Sequence, residues 1–203
     1  MASVRMYIDG FNLYHAIDKI GVDALKWLNF RTLGQNLLRP GEELDQVHFF
    51  TAIWPYEASK QKRHQNFIAA QKAYGVRVHE GKFSKPQRWC EKHQRHCPFR
   101  EEKQTDVGLA VKLVMDATRK EVGRMILVTA DSDQIPTVHA LVALKQPITL
   151  ATPPGRKHEA RHLSGLVTDR VDLHKERLLE CQLPRTVEVK GKAVAFRPAL
   201  YQV

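Results

Sequence analysis

Apolar, β-branched runs alternate along this chain with segments of helical periodicity, and that alternation constrains its fold more than any other feature. The runs are VRMYID (4–9), VHFFTAI (47–53), VRVHEGKF (76–83) and RMILVTAD (124–131), with QPITLAT (146–152) as a fifth. Short helices are expected over 11–20 and 31–38, and a longer one over 57–74 with Gly75 as its C-cap. A fourth runs over 105–121, opened by Thr105 as N-cap and closed before Gly123, and a fifth over 133–145. Parallel strands need crossover connections, so strands alternating with helices predict an α/β protein with a mostly parallel sheet covered on both faces. In such sheets ligands bind outside the carboxyl ends of the strands.

From 153 the breaker PPG leads through a basic helical stretch to TVEVKGKAVAF, where two alternating runs flank Lys190-Gly191-Lys192 as a β-hairpin. The expected organisation is one domain over 1–183 and a C-terminal hairpin extension over 184–203. With 203 residues the chain can bury a core without staples. It has no apolar run of about 18 residues and no secretion signal. A soluble, cytoplasmic protein without a membrane partner is the expectation. Three cysteines, an odd number, argue against a disulfide framework. Association into a homo-oligomer is left open.

The acids at the strand ends point to chemistry. Asp9 closes the first run, and Asp131 and Asp133 close the fourth. Any one of them could be a turn or cap residue; Asp133 in particular suits a helix N-cap, with Pro136 in the first turn. Three together favour a shared site, because like charges brought close destabilise a fold unless a cation neutralises them. Asp106 opens the helix at 105 and completes the set. Asp116 lies about 15 Å further along that helix and roughly 80° around it, so it is expected at the surface or supporting another group. Carboxylates without nearby thiols or imidazoles suit Mg²⁺ or Mn²⁺.

The net charge of +10 is concentrated. Residues 60–100 hold 11 Lys or Arg against Glu80 and Glu91, while the rest of the chain is nearly neutral. Histidines and aromatic residues, Phe99 among them, are interleaved with this basic block, as a phosphate-rich ligand with stackable bases requires. Lys60, Lys62, Arg63, Lys82, Lys85, Arg88, Trp89 and Arg95 are the candidate nucleic-acid contacts. Metal-assisted phosphodiester hydrolysis is the chemistry that joins the two features. Walker A, G-x-S-x-G and G-x-G-x-x-G motifs are absent from the sequence.

YIDGFNLYHAI, EKQTDVGLAVKLVMDA and ILVTADSDQIPTVHAL resemble, in order and spacing, the three signature segments of the NYN domain family of PIN-like ribonucleases, over roughly residues 4–172. The resemblance implies a PIN-like, Rossmannoid α/β fold and a metal-dependent endoribonuclease acting on single-stranded or structured RNA. It implies Asp9, Asp106, Asp131 and Asp133 as the catalytic metal-binding cluster. Asn12 would contact the substrate phosphate or the attacking water, with Thr129 or Ser132 assisting. Gln134 departs from the aromatic residue often found at its position. The alternatives are a non-catalytic RNA-binding module and a DNA-directed nuclease.

One motif stands apart from these. WCEKHQRHCPF, within the basic loop at about 84–103, offers Cys90, His93, His96 and Cys97 as ligands for a structural zinc, although adjacent ligands at 96 and 97 make tetrahedral closure cramped.

Overall fold

The computed structural model describes residues 1–98 and 101–202. Phe99 and Arg100, read above as part of the basic block, lie outside the described residues. In chain order the elements are β1 (Ala2–Asp9), α1 (Gly10–Ile20), α2 (Phe30–Gln35), β2 (Glu42–Thr51), α3 (Ala58–Ala73), β3 (Arg77–Glu80), β4 (Lys82–Ser84), β5 (Gln87–Cys90), β6 (Arg95–Pro98), β7 (Glu101–Lys103) and α4 (Thr105–Arg119). Then follow β8 (Arg124–Val128), α5 (Ile135–Ala143), β9 (Ile148–Thr152), α6 (Arg161–Leu166), β10 (Asp169–Asp172), α7 (Lys175–Leu179), β11 (Thr186–Val189) and β12 (Lys192–Phe196).

Six of these strands make one sheet in the order β10-β9-β8-β1-β2-β3, and every pairing in it is parallel. β1 is buried from Val4 to Asp9 because helices cover both of its faces. Alternation divides its side chains: Val4, Met6 and Ile8 enter one core with Ile126 and Val128, while Tyr7 enters the other with Met125, Leu127, Leu109 and Leu113. A third cluster, Trp27, Ala70, Leu183, Val187 and Ala195, fastens the C-terminal hairpin to the back of α3. Asn66 of α3 completes that attachment: its amide donates to the Phe196 carbonyl at 2.6 Å and its oxygen accepts from the Phe196 N–H at 3.1 Å.

Several expected elements are redrawn. The run 76–83 breaks at Gly81, so β3 stays in the main sheet and β4 leaves it to pair antiparallel with β7. A Cβ at Gly81 would stand 2.7 Å from the Lys103 carbonyl, which explains the break. Thr105 is the first residue of α4 rather than its cap. Gln104 precedes it in the left-handed region at φ 82°, and the Glu102 carboxylate accepts the Thr105 N–H at 3.2 Å in place of a cap side chain. β10 was not expected: DRVD is an edge strand on whose face charge is tolerated, so it lacks an apolar run.

Candidate metal centre at the sheet edge

Asp9 ends β1 and serves as N-cap of α1, its Oδ1 accepting the Asn12 N–H at 3.0 Å. The chain turns at once because residue 10 is glycine: a Cβ there would lie 2.5 Å from both the Phe50 carbonyl and the Phe49 ring. The other carboxylate oxygen of Asp9 accepts from the Thr129 hydroxyl at 2.8 Å. Thr129 in turn accepts the Asp131 N–H at 3.1 Å, so one hydroxyl joins the ends of β1 and β8. Asn12 makes a second tie, its Oδ1 accepting the Ala130 N–H at 2.9 Å.

Asp131 caps the 3₁₀ turn Ser132–Gln134 by accepting the Asp133 N–H at 3.0 Å, so the capping acid is Asp131 and not Asp133. The strand itself stops at Val128, three residues before it. Asp106 reaches the same place from the first turn of α4. Its backbone carbonyl accepts from Gln134, which is buried and also accepts from Thr137. Gln134 thus ties the 3₁₀ turn to α4 from the position where an aromatic residue is common.

One carboxylate oxygen from each of Asp9, Asp106 and Asp131 lies within 4.8 Å of the others. Burial pushes the Asp9 carboxyl up to about 6, and the charges of Asp106 and Asp131 push the same way against the Asn12 N–H and the Thr129 hydroxyl. Burial also raises Asp106, with Glu102, Asp131 and Asp133 adding to the effect. Asp133 is exposed and stays outside the three-oxygen cluster, though its charge is felt at Asp106. Ser132 is exposed beside it.

Asp116 is neither at the surface nor at this site. It is fully buried, accepts from Tyr7 at 2.7 Å and pairs with Lys112 at 2.6 Å and Arg5 at 3.4 Å. It anchors α4 to β1. His48 is buried as well, with burial pulling it down to about 3, while His15 and His139 are exposed.

A cavity of about 490 Å³, missed in the sequence, opens along α1 from Gly10, the residue after Asp9. Phe11, Tyr14, Trp54 and Phe83 line it together with Lys60 and Arg63 of α3. Trp54 meets Phe83 edge-on at 5.0 Å between centroids, and Phe11 meets Phe83 at 5.9 Å. Nothing in the spacing of these aromatic residues announces the cavity, because they come from three separate segments, α1, the stretch after β2, and β4. Among the other basic candidates, Lys62, Lys82 and Arg95 are exposed, Lys85 sits 3.9 Å over the Tyr56 ring, and Arg88 pairs with Glu101 at 2.9 Å. Trp89 is 55% exposed on β5, facing His96. Cys90, His93 and Cys97 converge near it, and His96 does not join them.

The family model for the NYN domain matches residues 3–167. The chain belongs to the NYN domain family. NYN domains are part of the PIN-like nuclease superfamily, and the six-stranded parallel sheet with its flanking helices is a PIN-like α/β fold. Among solved structures, that of a protein of unknown function from Vibrio parahaemolyticus is similar with a TM-score of 0.57 and 14% identity. The similarity covers 86% of this chain and 94% of that one, and it speaks for the fold alone. No curated protein matches the sequence closely enough to count as a relative. Among the described residues of this NYN protein, no helix is long and apolar enough to cross a membrane.

Proposed function

We propose that this NYN domain is a metal-dependent endoribonuclease, with Asp9, Asp106 and Asp131 holding Mg²⁺ or Mn²⁺. The observation that carries this reading is the convergence of three carboxylates, one of them Asp9 with its ionisation suppressed by burial. An all-oxygen, trianionic donor set fits a hard divalent cation and fits little else, since without a counter-charge the cluster opposes its own ionisation. A cation bound there supplies charge neutralisation at the scissile phosphate and an activated water.

The chain's own residues do the rest. The Asn12 N–H and the Thr129 hydroxyl hold the two oxygens of Asp9 in fixed directions, so the carboxylate is oriented before substrate arrives. Asn12 works through position: by engaging the Ala130 N–H it fixes the loop that carries Asp131. Asp133 adds negative field at the rim. Lys60 and Arg63 offer phosphate contacts at the mouth of the aromatic cavity, and Lys62, Lys82, Lys85, Arg88, Trp89 and Arg95 extend the basic surface beyond it. Rings beside cations favour an unpaired nucleotide, which can stack where a duplex cannot, so single-stranded RNA is the preferred substrate.

A fluorescent RNA assay at graded Mn²⁺ tests this. Cleavage by the unmodified protein and its loss in Asp9→Asn are expected. Equal cleavage by both proteins would place the chemistry elsewhere. RNA binding without cleavage by either would instead favour a non-catalytic RNA-binding module.

A further inference from the structure

Among the described residues, β5 and β6 form a two-stranded hairpin that joins no larger sheet. Over residues 87–98 every residue is exposed except Cys90 and Cys97, which are half-buried. An isolated pair of strands in water is marginal without a hydrophobic face, and this one buries none. The pairing of β5 with β6 therefore calls for another source of stabilisation.

The register supplies a candidate. Cys90 pairs with Arg95 and Arg88 with Cys97, so both thiols stand on one face of the hairpin; Trp89 pairs with His96 on the other. His93, in the connecting turn, folds back over the thiol face. Its Nδ1 lies 3.3 Å from Cys90 Sγ and 3.6 Å from Cys97 Sγ. Zinc–sulfur bonds of about 2.3 Å and zinc–nitrogen bonds of about 2.0 Å at the tetrahedral angle put the ligand atoms about 3.5 Å apart. The two observed separations bracket that value. Residues 96 and 97 are neighbours on one strand and point to opposite faces, so His96 cannot share an ion with Cys97. It packs on Trp89 instead, with centroids 5.5 Å apart.

We propose that Cys90, His93 and Cys97 bind Zn²⁺ as a structural clip across the β5–β6 hairpin, leaving the fourth coordination position to water. The ion stands in for the core that the hairpin lacks, and it holds Arg88, Trp89 and Arg95 on a fixed frame. The inference is independent of the nuclease reading, because it concerns thiols and an imidazole on a separate hairpin and not the carboxylate cluster.

The test is metal content and zinc affinity of the full-length protein, purified reduced and then equilibrated with Zn²⁺ and dialysed. About one zinc per chain is expected from a single set of three protein ligands. Cys90→Ser, His93→Ala and Cys97→Ser should each lower zinc affinity by at least about tenfold, as loss of one of three ligands requires. Cys181→Ser and His96→Ala should leave it unchanged. Chelation should open residues 85–98 to protease in the unmodified protein while the far-UV circular dichroism of the domain is retained, which separates loss of the clip from loss of the fold. Zinc retained by Cys90→Ser and Cys97→Ser would overturn the proposal. So would zinc lost from His96→Ala, or an intact mass showing Cys90 and Cys97 joined as a disulfide under these conditions.

Discussion

At the scale of single residues, Asp9 carries the sharpest consequence of the geometry, because burial and two neighbouring carboxylates raise its pKa to about 6 from an unfolded value near 3.8. Folding therefore favours the protonated form. The stability tied to this group is fully present below the unfolded pKa and is lost as pH rises from about 4 through about 6. In chelator, thermal unfolding should thus occur at lower temperature at pH 7 than at pH 5, and Asp9→Asn should flatten that dependence. The variant should be more stable than the unmodified protein at pH 7 by up to roughly 3 kcal/mol. Added Mg²⁺ or Mn²⁺ should raise the melting temperature of the unmodified protein and leave Asp9→Asn unmoved. Gly10→Ala makes the opposite case: the added methyl group collides with the Phe50 backbone, and a loss of about 1–3 kcal/mol is expected in denaturant unfolding. Asp116→Asn should cost about 1.5–3 kcal/mol by removing the charged partner of Lys112 and Tyr7, while Arg5 keeps Asp45 at 2.6 Å, and it should not alter metal-induced stabilisation.

At the scale of elements, the central strands and the long helices were legible because their periodicity is strong. The residues that failed the pattern did so for local reasons. VRVHEGKF reads as one strand until the crowding at Gly81 forces two, and DRVD is invisible because an edge strand has no need to be apolar. The acids Asp9, Asp106 and Asp131 were readable as strand-end or helix-start residues, since position along an element is encoded locally. Asp133 could not be separated from Asp131 by spacing, because a 3₁₀ turn and not an extended strand follows β8. The aromatic cavity was hidden, as its walls come from distant segments. α3 gives the prediction at this scale. Replacing Lys60, Lys62 and Arg63 together with glutamine should weaken RNA binding and reduce the slope of log affinity against log salt by about 2, from about 0.7 per phosphate contact on a single strand. Circular dichroism should be unchanged, since Lys60 and Lys62 are exposed and Arg63, beyond lining the cavity, reaches only the Tyr201 side chain near the C-terminus.

For the molecule as a whole, the C-terminal hairpin is bound into the structure through α3 and not merely appended to it. Asn66→Ala removes both bonds to Phe196, and about 1–2 kcal/mol of stability should go with them, accompanied by faster proteolysis within 184–202. The order of the main sheet has a wider effect. From β1 the chain adds β2 and β3 on one side and only later returns to add β8, β9 and β10 on the other. Asp9 and Asp131 therefore sit at and just past the ends of adjacent strands that are far apart in sequence, and the Thr129 bond to Asp9 spans 120 residues. A chain synthesised as far as α4 holds Asp9 and Asp106 but has no partner for them. The carboxylate cluster is complete only when β8 lies against β1, so whatever binds there reports that the two halves of the sheet have closed on each other.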